Sequence, residues 1–592
     1  MNTKKELTGY PSIDKPWLKY YSEEALNIEI PKCSAYEYIR KCNEKNMNTY
    51  AINFYGNRIK YAEIFKKIEK AKASLIELGI SKGDYVTFCM PTLPETIYLF
   101  YALNQLGAVA NFIDLRMNKE RIEKYINETK SKIVISFSGV TDKVYSIFED
   151  STAELLINID ITSSLSLIKR TLYRLKTGKP VRYGNKNILS WSDFLKIGIK
   201  SSRLSDNSDY LTDVSHEPAA IVYTGGTTGE PKGAILSNIC LNAPCVQYSK
   251  ADIPRGNNDR FVDIMPPFIA YGLVNGIQLA LSLNFECILL PKFDPNEFSQ
   301  ILLKYKPAHF IGIPSHFEIM MDDHRLDGKD LSFIKNAGCG GDQVSSALEE
   351  RTNKWLSEHN CKNMMRVGFG MTENAAMSIY DLNNGMTKVG RIGIPMQKTN
   401  IGVFDENGNE LTYNKVGELR ISSPAIINGY YKNEKETANI IIDVNGERWI
   451  KTGDYASIDE DGNVQIIGRK RAMFVRPDGH NVFPDLIRDY LSGCPIIKEV
   501  CVIGIKSRYN EHGKIPTAIV VLKDKNINEE EAKQKILEYQ SHLLGERDGA
   551  LDVRFRDELP LTPIGKIDVL RIEQEESINE SDIDFDTLIA RK

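Results

Sequence analysis

The chain lacks the patterns that usually mark metal-binding and disulfide-rich proteins. Its 592 residues include ten cysteines, which are scattered and never form a C-x-x-C pair, and eight histidines that do not cluster near them. Zinc sites and disulfide frameworks both depend on such spacing. We therefore expect reduced thiols and neither a zinc site nor a disulfide framework.

Long apolar runs and a strong charge of one sign are also missing. No stretch approaches the roughly 18 apolar residues of a spanning helix, and Met1–Leu7 has no signal-peptide pattern. The formal net charge is only −4, so the chain has no general attraction to nucleic acid. These features predict a soluble, cytoplasmic protein. Its length predicts at least two domains.

The pattern of predicted helices and strands changes along the sequence. From about residue 50 to 320, helical and buried-strand patterns alternate, as expected for α/β architecture with largely parallel sheets. After residue 400, short strands alternate with turns such as Asn407-Gly408, Asn445-Gly446 and Asp461-Gly462, which are typical of hairpins or a small barrel. From Glu499 onward, the order strand, strand, helix, strand predicts a compact α+β unit.

A glycine-rich loop is the most informative segment. Tyr223–Gly233 holds four glycines, three threonines and Lys232, directly after the apolar run Ala219–Val222. Glycine lets backbone N–H groups approach an anion, and threonine hydroxyls and a lysine add donors and charge. The loop lacks the Gly-Lys-Ser/Thr ending of a Walker A motif. It therefore predicts a different kind of phosphate site.

This loop resembles the phosphate-binding signature of the adenylate-forming superfamily, which includes acyl-CoA synthetases. The superfamily usually has serine where this chain has Gly225. The resemblance implies ATP contacts along the loop, at Thr224, Gly225, Gly226, Thr227, Thr228, Gly229 and Lys232.

Further motifs of that superfamily follow in order. Gly368-Phe369-Gly370-Met371-Thr372-Glu373 resembles its Gly-Tyr-Gly-x-Thr-Glu segment. The resemblance implies that Phe369 stacks on adenine between Gly368 and Gly370, that Thr372 contacts the α-phosphate, and that Glu373 helps to bind Mg²⁺. A carboxylate oxygen suits magnesium chemically.

The remaining nucleotide motifs lie further along the chain. Thr452-Gly453-Asp454 resembles the ribose-binding Thr-Gly-Asp, and Arg469 falls at a second nucleotide contact. The domain hinge of the superfamily, usually Asp or Lys, is matched by Arg471. Pro560–Asp568 resembles the segment whose lysine, here Lys566, bridges the carboxylate and the α-phosphate when the small domain closes.

Three segments depart from the pattern, at Pro266–Gly272, Gly338–Asp342 and Gly479–Pro484. Pro266–Gly272 has Ile269 where many members have histidine, which predicts an apolar acyl pocket. By resemblance, that pocket comprises Phe268, Ile269, Tyr271, Gly338, Cys339 and Gly340, with Cys339 as a packing residue. Gly479 and His480 match the glycine loop for thioester formation, but neighbouring residues differ. The adenylation step is therefore better supported than the thioester step.

The resemblance predicts the whole architecture. It implies a large N-terminal domain, residues 1–467, with two α/β sheet subdomains and a small distorted β-barrel. A hinge at 468–472 and a small mobile α+β C-terminal domain at 473–572 follow, then an acidic tail at 573–592. We expect the tail to be mobile because it is rich in acidic residues.

A basic insertion is expected near residues 161–213. Between Ile161 and Asn187 there are seven basic residues and no acidic ones, with leucines interleaved. The segment can serve as a membrane-surface or acyl-carrier contact, or simply form a solvated surface helix, which we favour.

The sequence thus predicts a ligase that forms an acyl-adenylate from ATP, with Mg²⁺, and transfers the acyl group to coenzyme A. A fatty or other apolar acid is the expected substrate. One alternative is a stand-alone adenylation enzyme that loads the phosphopantetheine of an acyl or peptidyl carrier protein. Another is an inactive nucleotide-binding protein. Amino-acid activation is disfavoured because Phe268–Ala270 has no aspartate for a substrate ammonium.

Overall fold

The computed structural model describes residues 7–177, 187–199, 213–224, 230–382, 388–510, 512–544, 549–561, 567–578, 581 and 583–585. In chain order, strands β1 to β26 span Tyr50–Phe54, Asn57–Lys60, Tyr85–Phe88, Val109–Phe112, Ile133–Phe137, Leu155–Ile159, Ile188–Ser190, Pro218–Tyr223, Gly233–Ser237, Arg260–Asp263, Glu286–Leu289, His309–Gly312, Asn336–Cys339, Met365–Phe369, Ile379–Tyr380, Ile394–Pro395, Asn400–Phe404, Gly417–Ser422, Ile441–Val444, Glu447–Ile458, Val464–Arg469, Phe474–Val475, Asn481–Val482, Ile497–Ile505, Ile515–Leu522 and Asp552–Phe555.

Helices α1 to α18 span Pro11–Asp14, Glu23–Leu26, Ala35–Cys42, Tyr61–Glu77, Pro94–Leu106, Lys119–Thr129, Thr141–Asp150, Leu167–Thr177, Trp191–Ile199, Asn238–Ser249, Ala280–Ser282, Phe298–Tyr305, Pro314–Met321, Ser346–Glu358, Glu434–Ile440, Pro484–Ser492, Glu529–Leu544 and Val569–Glu576. Short 3₁₀ helices lie at Pro16–Tyr20, Pro295–Glu297, His324–Leu326 and Thr372–Asn374, and a π-helical segment at Tyr271–Leu279.

Two large sheets form the first part of the chain. One has 7 strands in the order β7-β6-β5-β3-β4-β8-β9, and the other has 9 strands in the order β16-β15-β14-β13-β12-β10-β11-β1-β2. Pairing is parallel in the middle of both sheets. It is antiparallel at one edge of the 7-stranded sheet, between β8 and β9, and at both edges of the 9-stranded sheet. The prediction of two largely parallel α/β sheets is confirmed.

The helices of this part of the chain are buried to the degree that their sequences predict. Helix α5 is buried from Pro94 to Asn104, which fits the apolar run at 97–103, and it is followed by Gly107 in the left-handed region (φ 67°). Helix α4 instead alternates buried and exposed positions, as expected of a helix with one face on the core.

The secondary structure changes in the later part of the chain, as predicted. Strands β17 to β21 form a 5-stranded antiparallel sheet, and β24, β25 and β26 form a 3-stranded sheet in the small C-terminal part. The α/β fold with a large N-terminal and a small C-terminal domain is therefore confirmed. The exact domain boundaries remain predictions.

Two expectations about atypical segments need correction. The described residues after Glu573 do not form a free tail, because Glu575 and Glu576 pair with Arg556 and Phe585 is buried. The expected insertion at 161–213 is also narrower. Strand β7 pairs in parallel with β6, and Phe194 of α9 is fully buried, so both elements belong to the main domain.

Candidate active site

A cavity of about 1350 Å³ contains most of the described candidate site residues. The candidates that line it are Thr224, Lys232, Phe268, Ile269, Tyr271, Gly338, Cys339, Gly340, Gly368, Gly370, Thr372, Glu373, Arg469 and Arg471. Phe369, Asp454, Gly479 and His480 do not line it. Gly225, Gly226, Thr227, Thr228, Gly229 and Lys566 lie outside the described residues, so their roles remain predictions.

The two ends of the glycine-rich loop are held together at the cavity. Strands β8 and β9 pair antiparallel, and the backbone N–H of Thr224 donates to the carbonyl of Lys232 over 2.9 Å. The ammonium of Lys232 pairs with Glu436 and lies 5.1 Å from the ring centre of Tyr430. Lys232 lowers the pKa of the Glu436 carboxyl, first through their hydrogen bond. A cation is thus fixed beside the loop.

The Thr372–Glu373 segment is a tight 3₁₀ turn with a demanding backbone. Ala375 and Ala376 have φ values of 54° and 78°, and a Cβ on Gly370 would lie 1.9 Å from the carbonyl oxygen of Ala376. Gly370 is therefore required by close backbone packing, apart from any contact with a nucleotide.

Glu373 is buried at the cavity wall and is held from two sides. Its Oε1 accepts a hydrogen bond from the hydroxyl of Tyr430 at 2.5 Å, and its carbonyl accepts one from the N–H of Ile427 at 3.0 Å. Burial, and then the carboxylate of Glu373, raise the pKa of Tyr430, so this hydroxyl keeps its proton and donates. The carboxylate is thereby oriented by a donor that no sequence motif indicated.

Phe369 lies differently from what the resemblance suggested. It ends strand β14 and packs against a second apolar cluster, which is centred on β17, β18 and β20. Stacking of Phe369 on adenine therefore remains a prediction. It requires that adenine bound in the cavity can reach the Phe369 ring.

Asp454 and Arg469 face each other across two antiparallel strands. They are direct partners in the β20–β21 register, with Arg469 Nε 3.0 Å from Asp454 Oδ1. Burial raises the pKa of Asp454 to about 6, against the lowering effect of Arg469. Asp454 Oδ2 is buried and has no hydrogen-bond partner among the described residues. An unpartnered carboxylate oxygen at this place fits a ligand hydroxyl.

Apolar side chains dominate the other part of the cavity. Besides the predicted pocket residues, its lining includes Phe261, Ile264, Met265, Leu279, Leu290, Phe293, Ile311, Ile313 and Ile319. His316 also lines it, and burial lowers the pKa of this imidazole to about 4, so it is neutral at physiological pH. Burial likewise raises the pKa of the Cys339 thiol, which leaves it uncharged and poorly nucleophilic.

The small domain meets the large one beside this cavity. Arg488 donates to Oε1 of Gln343 at 2.6 Å, and Asp489 Oδ1 accepts from the N–H of Ser346 at 2.9 Å. Leu561, at the start of the segment that carries Lys566, lines the cavity, whereas Gly479 and His480 do not. In this arrangement the small domain brings Leu561 to the cavity, and not the Gly479 loop.

Sequence reasoning missed several residues of the cavity wall. These are Tyr430, Glu436 and His316, together with the Asp114–Arg116 ion pair, whose guanidinium lies 5.2 Å from the ring centre of Phe268. None belongs to a local pattern with an evident chemical meaning. Tyr430 directly follows Gly429, and this turn glycine (φ 146°) was the one signal in the sequence near these residues.

The side chains at the site fit a magnesium ion that takes one ligand from the protein and the others from water and the substrate phosphates. Among the described residues, no group of three or more His, Cys, Asp or Glu side chains could hold a metal. A single buried carboxylate beside a phosphate site is nevertheless sufficient, because Mg²⁺ commonly takes one or two carboxylates and completes its shell with water and phosphate oxygens. Glu373 is the candidate ligand.

The fold and the cavity are those expected of an adenylate-forming enzyme. Comparison with known proteins leads to the same class. The sequence model of the AMP-binding enzyme family matches residues 39–431, and that of the AMP-binding enzyme C-terminal domain matches residues 489–566. The chain belongs to the AMP-binding enzyme family. It is an AMP-forming acid–thiol ligase of the acyl-CoA synthetase type.

Two curated relatives illustrate the similarity. A long-chain-fatty-acid–CoA ligase of Bacillus subtilis (strain 168) is 27% identical over 585 residues, covering 95% of this chain and 99% of the relative. A probable 4-coumarate–CoA ligase 3 of Dictyostelium discoideum is 26% identical over 482 residues, covering 80% of this chain and 82% of the relative.

Solved structures support the fold. ATP-bound MatB from Rhodopseudomonas palustris superposes with a TM-score of 0.76 at 22% identity, covering 92% of this chain and 99% of that one. The anthranilate CoA ligase AuaEII in complex with anthranoyl-AMP gives a TM-score of 0.77 at 19% identity, covering 93% and 98%. Within the described residues, no helix has the length and apolar character needed to cross a membrane.

Proposed function

We propose that this enzyme activates a fatty or similarly apolar carboxylic acid with ATP and transfers the acyl group to coenzyme A. The observation that carries the proposal is the single cavity that joins a charged part at Lys232, Glu373 and Arg469 to an apolar part around Ile269. An acid with a hydrocarbon chain matches this division, because its carboxylate reaches the nucleotide site while its chain stays out of water.

In the first step, a carboxylate oxygen of the acid attacks the α-phosphorus of ATP, and pyrophosphate leaves. Lys232 would attract the departing phosphates, and Asp454 with Arg469 would hold the ribose. Lys566 would neutralise charge between the carboxylate and the α-phosphate. Bound Mg²⁺, held by Glu373, would offset the negative charge of the triphosphate. Catalysis then rests on positioning and electrostatics, without a protein nucleophile.

In the second step, the thiol sulfur attacks the acyl carbon of the adenylate, and AMP leaves. Since Gly479 and His480 do not line the cavity in this arrangement, the step requires the small domain to rotate. Arg471 lies at the expected hinge and lines the cavity, where burial and the nearby Arg469 lower its pKa. The hinge assignment is part of the proposal.

Coenzyme A is proposed over a carrier protein for two reasons. Two curated relatives, 27% and 26% identical to this chain, are named as CoA ligases. The basic residues expected to attract an acidic carrier are also engaged: Arg174 pairs with Asp160, and Arg170 donates to the carbonyl of Thr162. A carrier protein would therefore meet less free positive charge than the sequence suggests.

A pyrophosphate-release screen tests the substrate class. Straight-chain acids of increasing length, aryl acids and amino acids are compared with ATP and Mg²⁺, and the thioester is then measured with coenzyme A or with a phosphopantetheinylated carrier. We expect the highest kcat/KM for an apolar aliphatic acid and thioester formation on coenzyme A. Preference for amino acids, or thioester on the carrier alone, would overturn the proposal.

A cavity-filling variant sharpens this test. Ile319→Trp adds bulk to the apolar wall and should shift the preferred acid toward shorter chains, because the chain loses volume. Met364→Trp, at an exposed surface position, is the matched control. If both variants keep the wild-type chain-length profile, the apolar part of the cavity does not hold the acid.

A further inference from the structure

A second cavity, of about 500 Å³, lies between helix α1 and one face of the 5-stranded sheet. The inward positions of strands β17 and β18 belong to a buried apolar cluster that includes Ile401, Val403, Leu419 and Ile421. Side chains alternate along a strand, so Asn400, Phe404 and Arg420 point to the other face, where they line this second cavity. None of its lining residues lines the cavity that contains Lys232, so the two cavities are separate sites.

Arg420 brings a buried positive charge to the second cavity. Its side chain is 9% exposed, and its Nε has no hydrogen-bond partner among the described residues. The guanidinium carbon lies 4.3 Å from the centre of the Phe404 ring, and Nε lies 3.9 Å from Oε2 of Glu418, which is too far for a hydrogen bond. A buried guanidinium usually donates two parallel hydrogen bonds to a planar oxyanion. The donors of Arg420 therefore remain available to a ligand.

Asn400 is another buried polar side chain at the same cavity. It is 7% exposed, and within the described part of the chain its Oδ1 has no hydrogen-bond partner. Gly402 directly faces Arg420 in the β17–β18 register, so Asn400 and Arg420 are diagonal neighbours, which typically lie about 7–8 Å apart. One small molecule can therefore reach both side chains, with an oxyanion at Arg420 and a hydrogen-bond donor at Asn400.

The charges around Arg420 limit the kind of anion that fits. Lys15 adds a positive charge to the lining, whereas Glu410 and the exposed Glu447 add negative charges. The two carboxylate oxygens of Glu410 already accept from the N–H and the hydroxyl of Ser12, at 2.9 and 2.6 Å. This near balance of charge favours a monoanion over a phosphate dianion. The apolar part of the lining consists of Ile13, Phe404, Ile442, Val444 and Trp449. Such a lining suits an anion with an apolar body.

We propose that the second cavity binds a small monocarboxylate that has an apolar body and a hydroxyl group next to the carboxylate. The carboxylate accepts hydrogen bonds from Arg420, the hydroxyl donates to Oδ1 of Asn400, and the apolar body packs against Phe404 and Trp449. Both buried polar side chains thereby gain the partners that buried polar groups normally have. This binding uses no residue of the cavity at Lys232, so it stands or falls independently of the proposed function.

Tryptophan fluorescence of the full-length protein tests the binding. Trp449 lines the second cavity, whereas the described residues that line the first include no tryptophan. The wild type is titrated with mandelate, with phenylacetate, which lacks the hydroxyl, with mandelamide, which lacks the charge, and with inorganic phosphate. We expect a saturable change with mandelate that is absent in Trp449→Phe. The Kd should be about two- to tenfold higher for phenylacetate and more than about tenfold higher for mandelamide, because a hydrogen bond to a charged group is the stronger one.

Three variants assign the contacts. Arg420→Met should raise the Kd for mandelate by about tenfold or more, and Asn400→Leu should remove the preference for mandelate over phenylacetate. Arg448→Met makes the same charge change at an exposed position of β20 that lines neither cavity, and it should bind as the wild type does. Thermal unfolding checks that each variant is folded, and the ligand series on the wild type tests the proposal without any variant.

Three results would overturn the proposal. The first is the lack of any fluorescence change that depends on Trp449. The second is an equal Kd in Arg420→Met and Arg448→Met. The third is binding of mandelamide or phosphate as tight as that of mandelate, because neither combines a single negative charge with an apolar body.

Discussion

The hydroxyl of Tyr430 donates to Oε1 of Glu373 over 2.5 Å, although the two residues are 57 positions apart in the chain. Glu373 lies in the 3₁₀ turn after β14, whereas Tyr430 lies before α15, and both line the same cavity. One neutral donor thus fixes the carboxylate that we propose as the magnesium ligand. The bond connects the sheet domain to the region that also contains Glu436, the partner of Lys232.

Removing this donor should impair adenylation. Tyr430→Phe leaves the ring in place but deletes the hydrogen bond to a charged group, which is typically worth about 1.5–3 kcal/mol. We expect kcat/KM for ATP in pyrophosphate release to fall by about 10- to 100-fold, with a higher Mg²⁺ requirement. The readout is a magnesium titration of the initial rate.

Tyr431→Phe is the matched control, because its hydroxyl donates to the carbonyl of Glu128 and does not belong to the cavity wall. It should stay within about twofold of the wild type. Equal losses in the two variants would show that the Tyr430 hydroxyl has no special relation to Glu373.

The Lys232–Glu436 pair should compete with ATP for the lysine. Both side chains are about one-third exposed, so their interaction is worth on the order of 1 kcal/mol or less. Glu436→Gln should therefore lower KM for ATP by roughly two- to fivefold, because Lys232 is released for the phosphates. Lys232→Met should raise the same KM.

Glu434→Gln provides the control, since it removes the same charge from an exposed position of the same helix. It should leave KM for ATP nearly unchanged. A rise of KM in Glu436→Gln would mean that the carboxylate holds Lys232 in position for ATP, and does not compete with the ATP phosphates for it.

Asp454 should make ATP binding pH-dependent. Burial raises its pKa to about 6, so the carboxylate is ionised above that pH and protonated below it. The ionised form accepts hydrogen bonds from ribose hydroxyls more strongly than the protonated form does, so ATP affinity should fall as pH drops through 6. Because Arg469 lowers this pKa, Arg469→Met should move the loss of affinity to higher pH. ATP titrations from pH 5 to 8 measure both effects.

Lys470→Met is the control for the charge change, because Lys470 pairs with the exposed Glu406. It should keep the wild-type pH profile. Loss of the pH dependence in Asp454→Asn would assign the titration to this carboxyl, whereas its persistence would assign it to another group.

Much of this architecture can be read from local sequence. The buried run before Tyr223, the apolar run at 97–103 in α5 and the glycine turns at Gly107 and Gly446 each carry their own signal. Local sequence therefore predicts an α/β architecture with largely parallel sheets, and the resemblance of the motifs supplies the two sheet subdomains and the candidate site residues. It cannot show which distant side chains meet. The Tyr430–Glu373 bond depends on how the chain returns to β14 long after leaving it, and no local pattern encodes that return.

Orientation is the second thing that sequence alone does not determine. The alternation of leucines and basic residues in α8 predicts an amphipathic helix, and amphipathic helices usually bury their apolar face. Here Asp160, Thr162 and Tyr55 provide polar partners on the protein side, so the basic face is bound instead. The periodicity was sufficient to define the two faces, but not to decide which one meets solvent.

The small domain should be poised for adenylation in the arrangement described here. Leu561 lines the cavity, and the contacts of Arg488 with Gln343 and of Asp489 with Ser346 hold that arrangement. Lys566→Ala should abolish adenylation while leaving thioester transfer from a supplied acyl-adenylate largely intact, because the lysine is needed only when pyrophosphate leaves. Asp489→Ala should slow adenylation more than transfer, since it loosens only the first arrangement. Single-turnover assays measure the rate of each half-reaction separately. Equal losses of both rates would contradict the proposal that the small domain alternates between an adenylation and a transfer arrangement.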